Sequence, residues 1–237
     1  MWCKWAKLIR RLQIWLWESA AKSNQDNILK LLPRKPEANF LDLGCGDGTW
    51  TLKVAERIGT KNIYGIEIVD DLIMKASREK GITVMKSDLN EVFPFADNFF
   101  EVVHANQVIE HLTNVDSFIR EIYRVLKPDG HAIVSTENLS SIDNLLALFL
   151  GQQAFSQSIS ERKSVGNIFS PSYGVAIQEK HSAHKIIFTY FGLQQLLRSY
   201  NFDVEKVLTA GFYGFLARMD PIHARLIVVK ARKRLAL

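Results

Sequence analysis

The chain has 237 residues, 47% apolar and 23% charged, enough to bury a full core in one large domain or two small ones. The absence of any apolar run of about eighteen residues argues against a membrane span. The two cysteines, Cys3 and Cys45, support neither a disulfide framework nor a cysteine-based zinc site, and a reducing cytoplasm is the expected location. Residues 1–35 hold eight Lys/Arg against two Asp/Glu, so a chain of net charge +5 has a body at only −1, which argues against a broad nucleic-acid surface.

The first segment, WCKWAKLIRRLQIWLWES, repeats Trp2, Trp5, Ile9, Leu12 and Leu16 at helical steps and predicts an amphipathic helix. Lys4, Lys7, Arg10 and Arg11 interrupt what would be the apolar core of a signal peptide. A second helix is expected over Asn24–Leu32, ending before Pro33. From residue 38 the pattern alternates between strand and helix. Strands are expected at Ala38–Leu43, Asn62–Glu67, Ile82–Lys86, Phe99–Ala105 and His131–Thr136, with helices at Thr49–Ile58, Asp71–Lys80 and Val115–Leu126. Lys127-Pro-Asp-Gly130 reads as a turn in which Gly130 supplies a positive φ. This β-α order predicts a parallel, doubly wound α/β sheet. A helix at Ile142–Leu150 precedes a long aperiodic stretch, 151–188, which is either a functional flap or a small insert. A helix at Phe191–Ser199 and strands at Asp203–Leu208 and Arg225–Lys230 close the chain. The domain reading is an arm at 1–35 and one domain at 36–237, with a variable acceptor-pocket segment at 140–190.

The stretch FLDLGCGDGTW joins the first strand to the first helix of the sheet. In open α/β sheets ligands bind at that edge, and glycines let the backbone approach them closely. The spacing is GxGxG rather than the dinucleotide GxGxxG. Asp42 and Asp47 flank the glycines, and two carboxylates suit an ammonium and a sulfonium better than a pyrophosphate. Glu67, ending the second strand, is placed to accept hydrogen bonds from a ribose diol, a group that NAD and S-adenosylmethionine share. Asp88 and the amide of Leu89 follow the third strand and can meet an adenine edge.

These residues resemble the class I S-adenosylmethionine-dependent methyltransferases, strongly over about residues 38–136 and loosely over 184–231. LDLGCGDGT is similar to that family's first motif and IEIVDD to its acidic second motif. SDLNEVFPFADNFFEVVHANQVIEHL and IREIYRVLKPDGHAIVSTEN are similar to its later motifs, with Asp129 and Glu101 as small departures. The resemblance implies a seven-stranded sheet with an antiparallel last strand. It also implies that Gly44, Cys45, Gly46, Asp47 and Gly48 contact the methionine part of the cofactor. Glu67 would meet the ribose, Ile68 the adenine face, Asp88 and Leu89 the adenine edge, and Asn106 the methionine end through its backbone.

Methyl transfer needs a positioned, deprotonated nucleophile, and a His or carboxylate is the natural base for an oxygen acceptor. Glu110, His111, His181 and His184 are the candidates; His104, inside an apolar strand, reads as a satisfied core residue. The Asn/Asp-Pro-Pro-Tyr/Phe motif of nucleic-acid amino methylation is missing, since that place reads ANQVIE. No His/Asp/Glu cluster has metal-ligand spacing, so no metal is expected. The acceptor is expected to be a small molecule, sugar or lipid-linked intermediate methylated on oxygen. The arm either packs across the cleft or on a second subunit, or lies on an anionic membrane through residues 1–18. A non-catalytic module binding S-adenosylmethionine or S-adenosylhomocysteine is the alternative, and a nicotinamide oxidoreductase comes third.

Overall fold

A computed structural model describes residues 2–177, 183–211 and 219–234, with side chains from Lys7 onward. His181 and the side chains of Trp2 and Trp5 lie outside that description. Among the described residues the elements run, in order, α1 (Trp2–Leu31), β1 (Asn39–Leu43), α2 (Thr49–Ile58), β2 (Asn62–Glu67), α3 (Asp70–Met74, continued by a π turn at Lys75–Glu79), β3 (Thr83–Lys86), β4 (Phe100–Asn106), a 3-10 turn (Ile109–His111), α4 (Val115–Val125), β5 (Leu126–Glu137), α5 (Ile142–Phe149), α6 (Tyr190–Ser199), β6 (Phe202–Ala210) and β7 (Leu226–Lys233). The sheet has seven strands in the order β3-β2-β1-β4-β5-β7-β6. The pairs from β3 to β5 are parallel, and β7 runs antiparallel to both neighbours.

Alternate residues of each central strand serve opposite faces, as the period of two requires. Phe40, Val102, Ile133 and Val228 pack on one face with Ile28 and Leu31 of α1 and Val54 and Ile58 of α2. Their neighbours Leu41, Val103, Val134 and Val229 point to the other face, against Phe118 and Ile122 of α4 and Leu193 and Leu197 of α6. Helix α4 shows why its sequence is helical: Val115, Phe118, Ile119, Ile122 and Val125 are buried at steps of three and four, and Asn114 caps the first turn by accepting from the Ser117 amide at 3.1 Å.

Two expectations are corrected here. The arm is one continuous helix, not two, and its second half belongs to the core. The turn at 127–130 is extruded as a bulge inside β5, because Phe100 pairs with Leu126 while Val102 pairs with His131. Its positive φ of 60° falls on Asp129, not on Gly130. Gly130 serves close approach instead: a Cβ there would lie 2.8 Å from the Lys127 carbonyl oxygen.

Candidate active site

The glycine loop forms at the carboxyl end of β1, where the chain must turn sharply into α2. Gly44, Gly46 and Gly48 all have positive φ. Gly46 is the informative one, because a Cβ built on it would meet nothing within 4 Å. Its open side faces free space, and its amide donates to Glu67 Oε2 at 2.9 Å. Glu67 Oε1 accepts from the amides of Ile68 and Val69 at 2.8 and 3.1 Å. Three amides thus fix the carboxylate at the end of β2 against the loop, and Oε2 keeps a lone pair for a further donor.

The flanking acids behave differently from the expectation. Asp42 is 3% exposed, with Oδ2 accepting from Thr51 Oγ1 at 2.5 Å and Oδ1 paired with His104 Nδ1 at 2.6 Å. It braces the loop from behind, because β1 turns this side chain into the α2 interface. His104 is satisfied on one nitrogen only, since Nε2 has no partner among the described residues. Asp47 accepts from the Thr49 amide and hydroxyl at 2.9 and 2.8 Å, two bonds that hold its pKa below the usual range, and the pairing with Lys80 adds to them. It acts on the first turn of α2. The Cys45 thiol is buried against Gly65, where a Cβ would lie 2.6 Å from the sulfur. Burial, then the charges of Asp42 and Glu67, push its pKa up to about 12, so the thiol stays protonated.

Asp88 is exposed and accepts from the Asn90 amide and side chain, while Leu89 is buried in the core. Asn106 ends β4, and its Oδ1 accepts from Asn24 Nδ2 of α1 at 2.9 Å; Ser135 Oγ of β5 donates to Asn24 Oδ1 at 2.9 Å. Asn24, in the middle of α1, is thus tied to the carboxyl ends of β4 and β5, while Leu8, Leu12, Trp15 and Trp17 stay exposed.

Beyond Asn106 the chain enters the 3-10 turn carrying Glu110 and His111. Val108, just before it, touches the glycine loop: a Cβ on Gly44 would come within 2.8 Å of its Cγ2. His184, 73 positions after His111, is brought to the same turn because the Lys185 amide donates to the Glu110 carbonyl oxygen at 2.6 Å. The two imidazoles stand 4.7 Å apart, edge to face. His111 Nδ1–H donates to the Ala183 carbonyl at 3.4 Å, and His184 Nδ1–H donates to the Ser156 carbonyl at 2.6 Å. Glu110 is fully buried; Oε2 accepts from Thr136 Oγ1 at 2.9 Å and Oε1 has no partner among the described residues. Burial raises the Glu110 pKa to about 7, and burial followed by the neighbouring His184 lowers that of His111 to about 4.

The sequence reading missed Glu137, whose Oε2 lies 3.8 Å from His184 Nδ1 and whose pKa burial raises. Trp17 of α1 hydrogen-bonds the same carboxylate. An acid at the carboxyl end of a central strand is the signal that exposed Glu67, and it applied equally to Glu137. A cavity of about 370 Å³ opens onto Glu137, Ser156 and Trp17, and a second of about 440 Å³ reaches His184; both share Phe155. The glycine loop lies outside both.

A sequence profile of the methyltransferase domain family matches residues 16–207. The chain is 30% identical over 143 residues to the mitochondrial ubiquinone biosynthesis O-methyltransferase of Bos taurus, covering 54% of this chain and 38% of that one. It is 32% identical over 112 residues to the demethylmenaquinone methyltransferase of Listeria welshimeri, covering 43% of this chain and 46% of that one. The chain thus spans less than half the length of these curated relatives. Among solved structures, an S-adenosylmethionine-dependent methyltransferase from Mesorhizobium loti superposes with a TM-score of 0.62 at 17% identity, covering 88% of this chain and 96% of that one. The cyclase SpnF superposes with a TM-score of 0.62 at 20% identity, covering 93% and 84%. The chain belongs to the methyltransferase domain family.

Proposed function

We propose that the protein transfers a methyl group from S-adenosylmethionine to a hydroxyl oxygen of a small acceptor held at Glu110, His111 and His184. The observation that carries this reading is the convergence of those three side chains on a turn that abuts the glycine loop. S-adenosylmethionine supplies an activated methyl on a positively charged sulfur. The loop presents an open backbone face at Gly46, which fits close approach of that cofactor. Glu67 receives the ribose hydroxyls on Oε2, Ile68 lies against adenine, and Asp88 with the Leu89 amide holds its edge. Asn106, fixed by Asn24, lines the methionine end.

His184 takes the acceptor proton on Nε2, because its Nδ1–H is committed to Ser156 and Glu137 stands ready to balance the imidazolium. His111, with its pKa near 4, stays neutral and positions the acceptor. Curated relatives named for ubiquinone and menaquinone methylation support an acceptor with a hydroxylated ring and an apolar tail. So does the surface: Leu8, Leu12, Ile142, Leu146 and Phe149 are exposed on α1 and α5, and α1 also displays Lys7 and Arg11. These residues suit an anionic bilayer surface carrying such an acceptor. No helix among the described residues is long and apolar enough to cross a membrane.

Calorimetry of the purified protein with S-adenosylmethionine, its demethylated product and NAD tests the cofactor part. Binding of the first two without NAD is expected; binding of NAD alone would overturn the reading. Tight binding of the cofactor with no methyl loss to any acceptor pool would favour a non-catalytic module, a role that fold likeness does not exclude.

A further inference from the structure

We propose that Glu110, His111 and His184 form a binding site for a divalent transition ion of the zinc class. Their spacing in sequence conceals this, since two adjacent residues meet a third 73 positions later. One ligand atom from each lies within 4.8 Å of the other two, a span that small side-chain rotations close onto a single ion. The set of two imidazoles and one carboxylate suits zinc and its imidazole-preferring neighbours rather than magnesium or calcium.

The outer atoms make the stronger case. Each imidazole donates its Nδ1–H to a backbone carbonyl, His111 to Ala183 and His184 to Ser156. An imidazole so tied carries its lone pair on Nε2, where it is available to a metal. Glu110 is tied the same way, through Oε2 to the Thr136 hydroxyl. Its other oxygen, Oε1, is buried without a partner among the described residues. Buried carboxylate oxygens are rarely left so, and a cation would satisfy this one. Three protein ligands leave a fourth position open, the arrangement of catalytic rather than structural zinc.

This inference rests on the reading of the cluster as the acceptor site. With an ion bound, His184 is a ligand, and the acceptor hydroxyl occupies the open position. Its O–H bond then breaks with the electron pair kept on the metal-held oxygen and the proton passed to water.

The test is a cobalt(II) titration of the chelator-treated full chain, read by the visible d–d absorption of the bound ion, with zinc counted by equilibrium dialysis. One equivalent is expected, with affinity falling about tenfold or more in each of Glu110→Gln, His111→Gln and His184→Gln. Circular dichroism identifies which variants fold, and His111→Gln and His184→Gln, at the two partly exposed ligands, keep the test open should Glu110→Gln not fold. Absence of a cobalt band in wild type, or a band unchanged in all folded ligand variants, would overturn the site. Methyl transfer by a chain that binds no cobalt would sink the metal while leaving the proposed function standing. Cobalt binding without methyl transfer would support the metal site and count against that function.

Discussion

Glu67→Ala removes a carboxylate that three backbone amides now share. Gly46 donates to one oxygen, and Ile68 and Val69 to the other. At 9% exposure, water can reach only part of what is lost. Leaving such groups unpaired should cost about 1–3 kcal/mol of stability. The same change deletes the proposed partner of the ribose hydroxyls, a further loss of about 1–3 kcal/mol that appears only on binding. Affinity for S-adenosylmethionine should therefore fall about ten- to hundredfold. Calorimetry with the cofactor and its demethylated product, beside a urea melt, separates the two effects. The demethylated product should weaken in parallel, because it carries the same ribose. A folded Glu67→Ala that binds both ligands as wild type does would refute the placement of the ribose at this carboxylate.

The paired shifts at the acceptor cluster predict opposing pH slopes in the metal-free protein. Glu110, raised from 4.5 to about 7, binds more protons folded than unfolded, so its contribution falls as pH rises from about 4.5 to 7. His111, lowered from 6.5 to about 4, binds fewer, so its contribution grows as pH rises from about 4 to 6.5. Stability of Glu110→Gln should rise more steeply with pH across that window than wild type, and His111→Gln should fall; denaturation series at stepped pH read both, and parallel curves would refute the assignment. Gly46→Ala should weaken cofactor binding at a stability cost of about 1–2 kcal/mol, because its Cβ enters open space while φ is strained. Gly48→Ala should cost more, roughly 2–4 kcal/mol, since its Cβ also meets Ile82 Cδ1 at 2.5 Å; thermal melts order the two. Asn24→Ala should destabilise by about 1–3 kcal/mol by stranding Asn106 and Ser135, and a urea melt indistinguishable from wild type would contradict that.

The sheet was legible where local pattern and tertiary role agree. Helix α2 and strand β2 have the bounds their sequences imply; Gly48 and Gly59 mark the two ends of α2. Helix α1 was expected as two helices, the second starting at Asn24. In the fold it is 2% exposed inside the helix, satisfied by partners from β4 and β5 that no local pattern shows. Strand β7 runs on to Lys233 because β5 and β6 both pair with it, a gain invisible in its own residues. At the site, residue types were legible and partners were not. Asp42 and Asp47 carry the charge expected beside the loop, yet Thr51, His104 and Thr49 claim their oxygens. Glu110, His111 and His184 were each singled out, but their meeting depends on one backbone hydrogen bond, from Lys185 to Glu110.

The most direct test of the account is methyl transfer itself. The full chain would be incubated with methyl-tritiated S-adenosylmethionine and a panel of phenolic, sugar and polyprenyl-phenol acceptors, and label followed into ether-linked product. The account predicts label on a hydroxyl oxygen, lost in His184→Ala while cofactor binding persists by calorimetry. Label arriving on nitrogen or carbon, or transfer undiminished in His184→Ala, would contradict it.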